Sequence, residues 1–191
     1  MLSLHKITEL AHHTVSSVIR AGDSVVDATA GNGFDTVFLA LKTGSAGHVY
    51  AFDVQEEALS RTAERLKERY LDQQVSLIQD GHEKLTNYVS EPVSVVMYNL
   101  GYLPGSYSEL TTRFDTTLLS FHQALTLLQP GGVITLVLYP GHREGKLEKE
   151  KLLPVIGRLS SAEYTVVHHN YLNKTNDPPE LIIVQKFLFS L

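Results

Sequence analysis

The chain has 191 residues, of which 43% are hydrophobic and 19% charged, the composition of one globular domain that needs no disulfide or metal staple. It contains no cysteine, which excludes disulfides, thiolate nucleophiles, Cys-ligated zinc and iron–sulfur clusters. Lys and Arg number 16 against 21 Asp and Glu, a net charge of −5 that argues against a broad nucleic-acid surface but permits a local basic patch.

Residues 5–20 carry Ile7, Leu10, Ala11, Val15 and Val18 at helical spacing. Gly22 and Asp23 break that pattern, and a short apolar strand follows at 24–28. The Gly-rich turn TAGNG leads into an apolar helix at 34–42. Residues 48–54 read as a second strand, 56–70 as a charged helix, 75–79 as a third strand and 93–98 as a fourth. A helix at 113–128 is expected to stop at Pro130-Gly131-Gly132, before a wholly apolar fifth strand at 133–139. A charged helix at 144–159 is expected to be interrupted by Pro154. Two further strand-like runs, 164–171 and 181–188, are joined by NKTNDPPE, too short for a helical crossover, so they should pair antiparallel. Strand–helix alternation predicts a mostly parallel sheet with helices on both faces. The longest apolar runs, about seven residues, span no bilayer. The N-terminal MLSLHKITEL lacks the apolar stretch of a secretory signal, which leaves the cytoplasm as the expected location.

Ligands of open α/β sheets bind beyond the carboxyl ends of the strands. Asp27, Asn32, Asp53, Asp80, Asn99 and His142 stand at those ends. Gly31 and Gly33 permit close backbone approach at the first turn. Asp53 follows Gly31 by about 20 residues, the separation at which a carboxylate receives ribose hydroxyls in dinucleotide sites. Thr36 replaces the third glycine of G-x-G-x-x-G, which weakens a nicotinamide reading.

VVDATAGNG resembles the first motif of S-adenosylmethionine-dependent methyltransferases, D-x-G-x-G-x-G, on Asp27, Thr29, Gly31 and Gly33, with Thr29 in place of a glycine. That resemblance implies a Rossmann-like class I methyltransferase fold: a seven-stranded, mostly parallel sheet with a C-terminal antiparallel hairpin. It implies a cofactor side built from Asp27, Thr29, Gly31, Asn32, Gly33, Asp35 and Thr36. Asp53 would take the ribose, Gln55 would lie beside the adenosine, and Asp80, Gly81 and His82 would line the adenine pocket. YNLGYLPG is similar to the polar-Pro-Pro-aromatic loop with which amino-methyltransferases hold an amine, with Leu100 and Gly101 in place of both prolines. Asn99 would serve both cofactor and acceptor. Leu100, Gly101, Tyr102, Leu103, Pro104, Tyr139 and His142 would face the acceptor, and Asn99, Tyr102 and His142 are the expected catalytic set. Taken together, DATAGNGFDT, FDVQ, DGHE, YNLGYLPG and YPGHREG resemble, over essentially the whole chain, a small bacterial family once called "putative rRNA methylases". Resemblance to that family implies methylation of 5-aminomethyl-2-thiouridine at the tRNA wobble position.

The implied chemistry is direct methyl transfer to an exocyclic amine, helped by positioning and by a proton acceptor drawn from His142, Tyr102, Tyr139 or water. A surface role for His142 is the alternative. His12 and His13, on the first helix, are expected on a partly exposed face, with the mouth of the site as the alternative. GHREGK is not a P-loop, because it is one residue short and Leu147 replaces Ser/Thr; HEKLT lacks the second His of a zinc-protease helix. No metal is expected. Arg61, Arg65 and Arg69 form one helical stripe, read as a solvated face or a phosphate contact. A small-molecule N- or O-methyltransferase and a non-catalytic nucleotide-binding module remain alternatives. An acidic chain that binds the tRNA anticodon arm would gain a composite basic surface as a homodimer.

Overall fold

The computed structural model describes residues 6–101 and 112–188. Seven strands form one sheet in the order β3-β2-β1-β4-β5-β7-β6. They are β1 Ser24–Asp27, β2 His48–Phe52, β3 Val75–Ile78, β4 Val93–Leu100, β5 Leu128–Leu138, β6 Tyr164–His169 and β7 Glu180–Lys186. The helices are α1 Ile7–Ser16, α2 Phe34–Thr43, α3 Glu56–Lys67, α4 Phe114–Leu127 and α5 Arg143–Ile156. β1 to β5 pair in parallel, whereas β7 runs antiparallel between β5 and β6. This is the expected architecture, with the order reversing beside β1, at the crevice between β1 and β4. No helix among the described residues is long and apolar enough to cross a membrane.

Strand pleating divides the core. Val25, Val95, Met97 and Val137 pack under α1 and α2 with Ala11, Val15, Val37 and Leu39. Their neighbours Val26, Val96, Tyr98 and Leu136 pack on the opposite face with Phe121, Leu125, Leu152 and Ile156 of α4 and α5. Residues buried on both faces explain why these strands are continuous apolar runs. The same alternation turns Asn99 toward the α1–α2 face and Leu100 into the opposite core.

Two expectations about proline fail. Pro130-Gly131-Gly132 does not separate α4 from β5, because α4 ends at Leu127 and β5 begins at Leu128, passing through all three residues. Their irregularity is absorbed by a register shift opposite Val93 and Val95. Gly131 has φ +80°, and a Cβ on Gly132 would lie 2.9 Å from the Ser94 carbonyl, so both glycines serve this close strand contact. Pro154 lies inside α5 without interrupting it. It costs one backbone bond two residues before the helix end, while Leu152 and Ile156 stay buried on either side. The charged helix α3 also ends three residues earlier than expected.

Buried carboxylates tie elements together. Glu148 of α5 accepts hydrogen bonds from Thr117 of α4 at 2.6 Å and from Thr112 at 2.7 Å. Glu180 of β7 meets Lys149 at 2.6 Å and His168 at 2.8 Å, which locks the terminal hairpin to α5. Phe121 is fully buried at the centre of the α4–sheet interface. Phe121→Ala should cost about 3–5 kcal/mol of stability, read as a lowered denaturation midpoint at unchanged slope.

Candidate active site

The carboxyl ends of β1, β2 and β4 open into a cavity of about 610 Å³. Its foundation is Asp27, fully buried at the end of β1. One carboxylate oxygen accepts the Thr29 N–H at 3.2 Å and the other the Thr36 hydroxyl at 2.6 Å, tying the Gly-rich loop to α2. Burial, and then the neighbouring Asp35 carboxylate, push Asp27 up to about 7. Gly33 has φ +78°, and a Cβ there would approach the Thr62 hydroxyl to 2.8 Å. Only glycine fits that contact without displacing α3. Asp27, Gly33 and Thr36 therefore support the cavity wall and are not among its lining residues, unlike their expected role as cofactor contacts.

Thr29, Gly31, Asn32, Asp53, Gln55, Asp80, Gly81, His82 and Asn99 do line the cavity, where they were expected. Asp53 holds the loop at its mouth. Its Oδ2 accepts the Gly31 N–H at 2.8 Å and its Oδ1 the Gln55 N–H at 3.0 Å. Each oxygen keeps a lone pair for a hydroxyl donor. Asp80 accepts from Gly81 N–H, Lys84 and Tyr88 at 2.7–2.9 Å. The Lys84 ammonium, followed by the Tyr88 hydroxyl, holds this carboxylate below its usual range. Burial brings His82 down to about 4, so its ring is neutral at neutral pH, and its buried Nδ1 has no hydrogen-bond partner among the described residues.

Two members of the arginine stripe, Arg61 and Arg65, turn onto the Gly-rich loop, while Arg69 stays on the solvated face. Arg61 donates to the Asn32 side chain at 3.0 Å, and Arg65 Nε donates to the Asn32 carbonyl at 2.9 Å. Arg65 also lies 4.1 Å above the exposed Phe34 ring at the cavity mouth. Both arginines buttress the Gly-rich loop from α3.

At the other end of the cavity, Asn99 closes β4. Its backbone N–H donates to the Thr29 hydroxyl at 2.7 Å, and its side-chain Nδ2 donates to Asp35 Oδ2. Asn99 Oδ1 is buried and has no partner among the described residues. Asp35 lines the cavity but is committed to Asn99 and to His12, whose Nε2 lies 2.6 Å from Asp35 Oδ1. His12 was expected on a mere helix face; it lines the cavity, while nothing brings His13 there. Its only sequence signal is its place next to buried Ala11, which fixes the inward face of α1 but names no partner. Thr8, Thr112, Arg113 and Thr116 are further lining residues that the sequence left unmarked.

On the acceptor side, Gly101 and Tyr139 line the cavity. Burial and the Asp35 charge push the Tyr139 hydroxyl up, so it is a donor at neutral pH and a poor base. Leu100 is a correction: it is 1% exposed and packs in the α4–α5 core, because it lies one residue beyond Asn99 on a pleated strand. His142 is another. It caps the N-terminus of α5, its Nδ1 accepting the Gly145 N–H at 3.1 Å, and it is not among the lining residues. Tyr102, Leu103 and Pro104 lie outside the described residues.

A family model described as "Putative rRNA methylase" matches residues 49–185. A chloroplastic tRNA (mnm5s2U34)-methyltransferase of Arabidopsis thaliana is 36% identical over 183 residues, covering 91% of this chain and 67% of that protein. A crystal structure described as a "putative rRNA-methylase" from Clostridium thermocellum superposes with a TM-score of 0.95 at 38% identity, covering 97% of this chain and all of that one. A methyltransferase from Streptococcus mutans, solved with SAH, gives 0.88 at 36% identity and the same coverage. The residues present fit S-adenosylmethionine: Asp53 offers carboxylate lone pairs, the Gly31–Gly33 loop admits close backbone approach, and His82 has an unpartnered ring nitrogen. Asp53→Ala should weaken S-adenosylmethionine binding about 10- to 100-fold by calorimetry, the equivalent of one or two hydrogen bonds to a charged group. The chain belongs to this rRNA-methylase family, and it is a class I S-adenosylmethionine-dependent methyltransferase.

Proposed function

We propose that the chain N-methylates the 5-aminomethyl group of wobble 5-aminomethyl(-2-thio)uridine in tRNA, giving 5-methylaminomethyl(-2-thio)uridine. The observation that carries this reading is Asn99 Oδ1, a buried acceptor without a partner at the cavity end of β4. An unpaired buried carbonyl costs about 1–3 kcal/mol and is relieved by an N–H donor. The Arabidopsis relative's name supports the choice of tRNA and of this base.

Bound S-adenosylmethionine supplies an electrophilic methyl group on a sulfonium. The acceptor amine, with a lysine-like pKa of about 10, gives one proton to water before it attacks. Asn99 Oδ1 receives one of its remaining N–H groups, which directs the lone pair away from Asn99 and into the cavity. Tyr139 donates, packs beside Gly101 at 3.6 Å from where a Cβ would stand, and offers its ring as a wall to a planar base. Catalysis is positioning more than base strength.

A second depression of about 240 Å³ shares Thr8 and Tyr139 with the cavity and is also lined by Lys6, Tyr171 and Lys174. Lys174 Nζ lies 3.5 Å from the Tyr171 ring centre, and Lys6 lies 3.1 Å from Glu9. No carboxylate lines this depression among the described residues. The acceptor end of the cavity is thus bordered by Lys6, paired with Glu9, and by Lys174 over Tyr171.

The direct test supplies methyl-labelled S-adenosylmethionine and tRNA from cells lacking this gene, digests the RNA and identifies the labelled nucleoside by mass. Label in 5-methylaminomethyl-2-thiouridine is expected; label in no nucleoside, with cofactor binding intact, would refute the reading and turn the search to small amines. Asn99→Ala should lower kcat far more than cofactor affinity.

A further inference from the structure

Asparagine offers a donor and an acceptor at nearly identical positions, so its use as an amine acceptor depends on what fixes the flip of its amide. Here the fixing group is visible. Asp35 is buried at the first turn of α2, and an ionised carboxylate only accepts. The amide nitrogen of Asn99 must therefore face Asp35, which leaves Oδ1 on the other side. Asp35 is itself held by His12, whose Nε2 must carry the hydrogen in their 2.6 Å contact. The His12 ring is in turn stacked on Phe38, with centroids 3.8 Å apart and planes 2° from parallel. Three elements thus converge on one amide: α1 through His12, α2 through Asp35 and Phe38, and β4 through Asn99.

We propose that His12 and Asp35 are positioning residues for methyl transfer, a chain that holds the Asn99 amide with its oxygen toward the acceptor nitrogen. This rests on the amine reading of Asn99. The chain selects an acceptor that still bears an N–H at attack. A flipped amide would present two donors to that group and repel it. His12 matters because it occupies the second oxygen of Asp35 and stops the carboxylate from rotating away. Among the described residues no Lys or Arg pairs with Asp35; His12, Asn99 and the N-terminus of α2 face its carboxylate.

The test is a double-mutant cycle on the full chain, with kcat, acceptor KM and S-adenosylmethionine Kd measured for each variant. Asp35→Ala should lower kcat about 100-fold while leaving cofactor Kd within about threefold. Asp35→Asn should recover most of that loss, because its amide can accept from Asn99 and donate to the other tautomer of His12. His12→Ala should lose less than Asp35→Ala, and His12→Gln, which keeps a donor, should recover it. Most diagnostic, Asp35→Ala should cost almost nothing further in an Asn99→Ala background, since there is no amide left to orient. Losses that multiply in the double variant, or a cofactor Kd that rises in step with the fall in kcat, would overturn the chain while leaving the amine reading intact. An Asn99→Ala variant with unchanged kcat would overturn the amine reading, and the chain with it. If Asp35→Ala does not fold, the same cycle run with His12→Ala, at a partly exposed position, decides the question.

Discussion

A carboxylate with no solvent exposure holds the site together. Asp27 closes β1 and accepts from both ends of the turn that follows, the Thr29 amide and the Thr36 hydroxyl. With that loop fixed, the remaining contacts fall into place. Thr29 can receive the Asn99 N–H, Gly31 can donate to Asp53, and Asp35 enters α2 facing Asn99. Burial of such a group is costly, and its raised pKa is the measure of that cost. The two hydrogen bonds that tie the turn to α2 offset that cost.

The charges around the cavity have a common sense. Asp27, Asp35 and Asp53 lie close enough for Asp27 to feel both of the others. The cations nearest the loop, Arg61 and Arg65, are turned onto Asn32 rather than onto these carboxylates. Of these, Asp35 and Asp53 line the cavity, and their carboxylates favour a cationic ligand, as a sulfonium is. The lysines of the chain's acceptor end stand further out, beyond Tyr139. The net charge of −5 does not describe this local arrangement, in which Arg113 also lines the cavity.

Much of this was legible in the sequence because it is local. Continuous apolar runs, broken by Gly and capped by Asp or Asn, marked the parallel strands, and the short NKTNDPPE link marked the antiparallel pair. Strand-end residues gave Asp53, Asp80 and Asn99. Where the reading went wrong, it assumed that a residue's neighbours in sequence share its surroundings. Leu100 was placed with Asn99 at the acceptor, yet pleating sends it to the other face. His142 was placed at the site by its loop, yet its Nδ1 caps α5. Pro130-Gly131-Gly132 looks like punctuation, yet β5 runs through it as an irregularity, its pairing with β4 resuming at Val133 after a register shift.

What the sequence determined by itself was the sheet, its seven strands and the set of strand-end acids and amides, since hydrophobic period and turn chemistry act over a few residues. What only the tertiary structure decided was how those groups are used. The meeting of His12 with Asp35 spans 23 residues, and that of Asp35 with Asn99 spans 64. Neither is encoded in any spacing, because both arise from the angle at which α1 and α2 lie across the sheet. That packing, not the motif, turns Asn99 from an amide of either orientation into an acceptor of one.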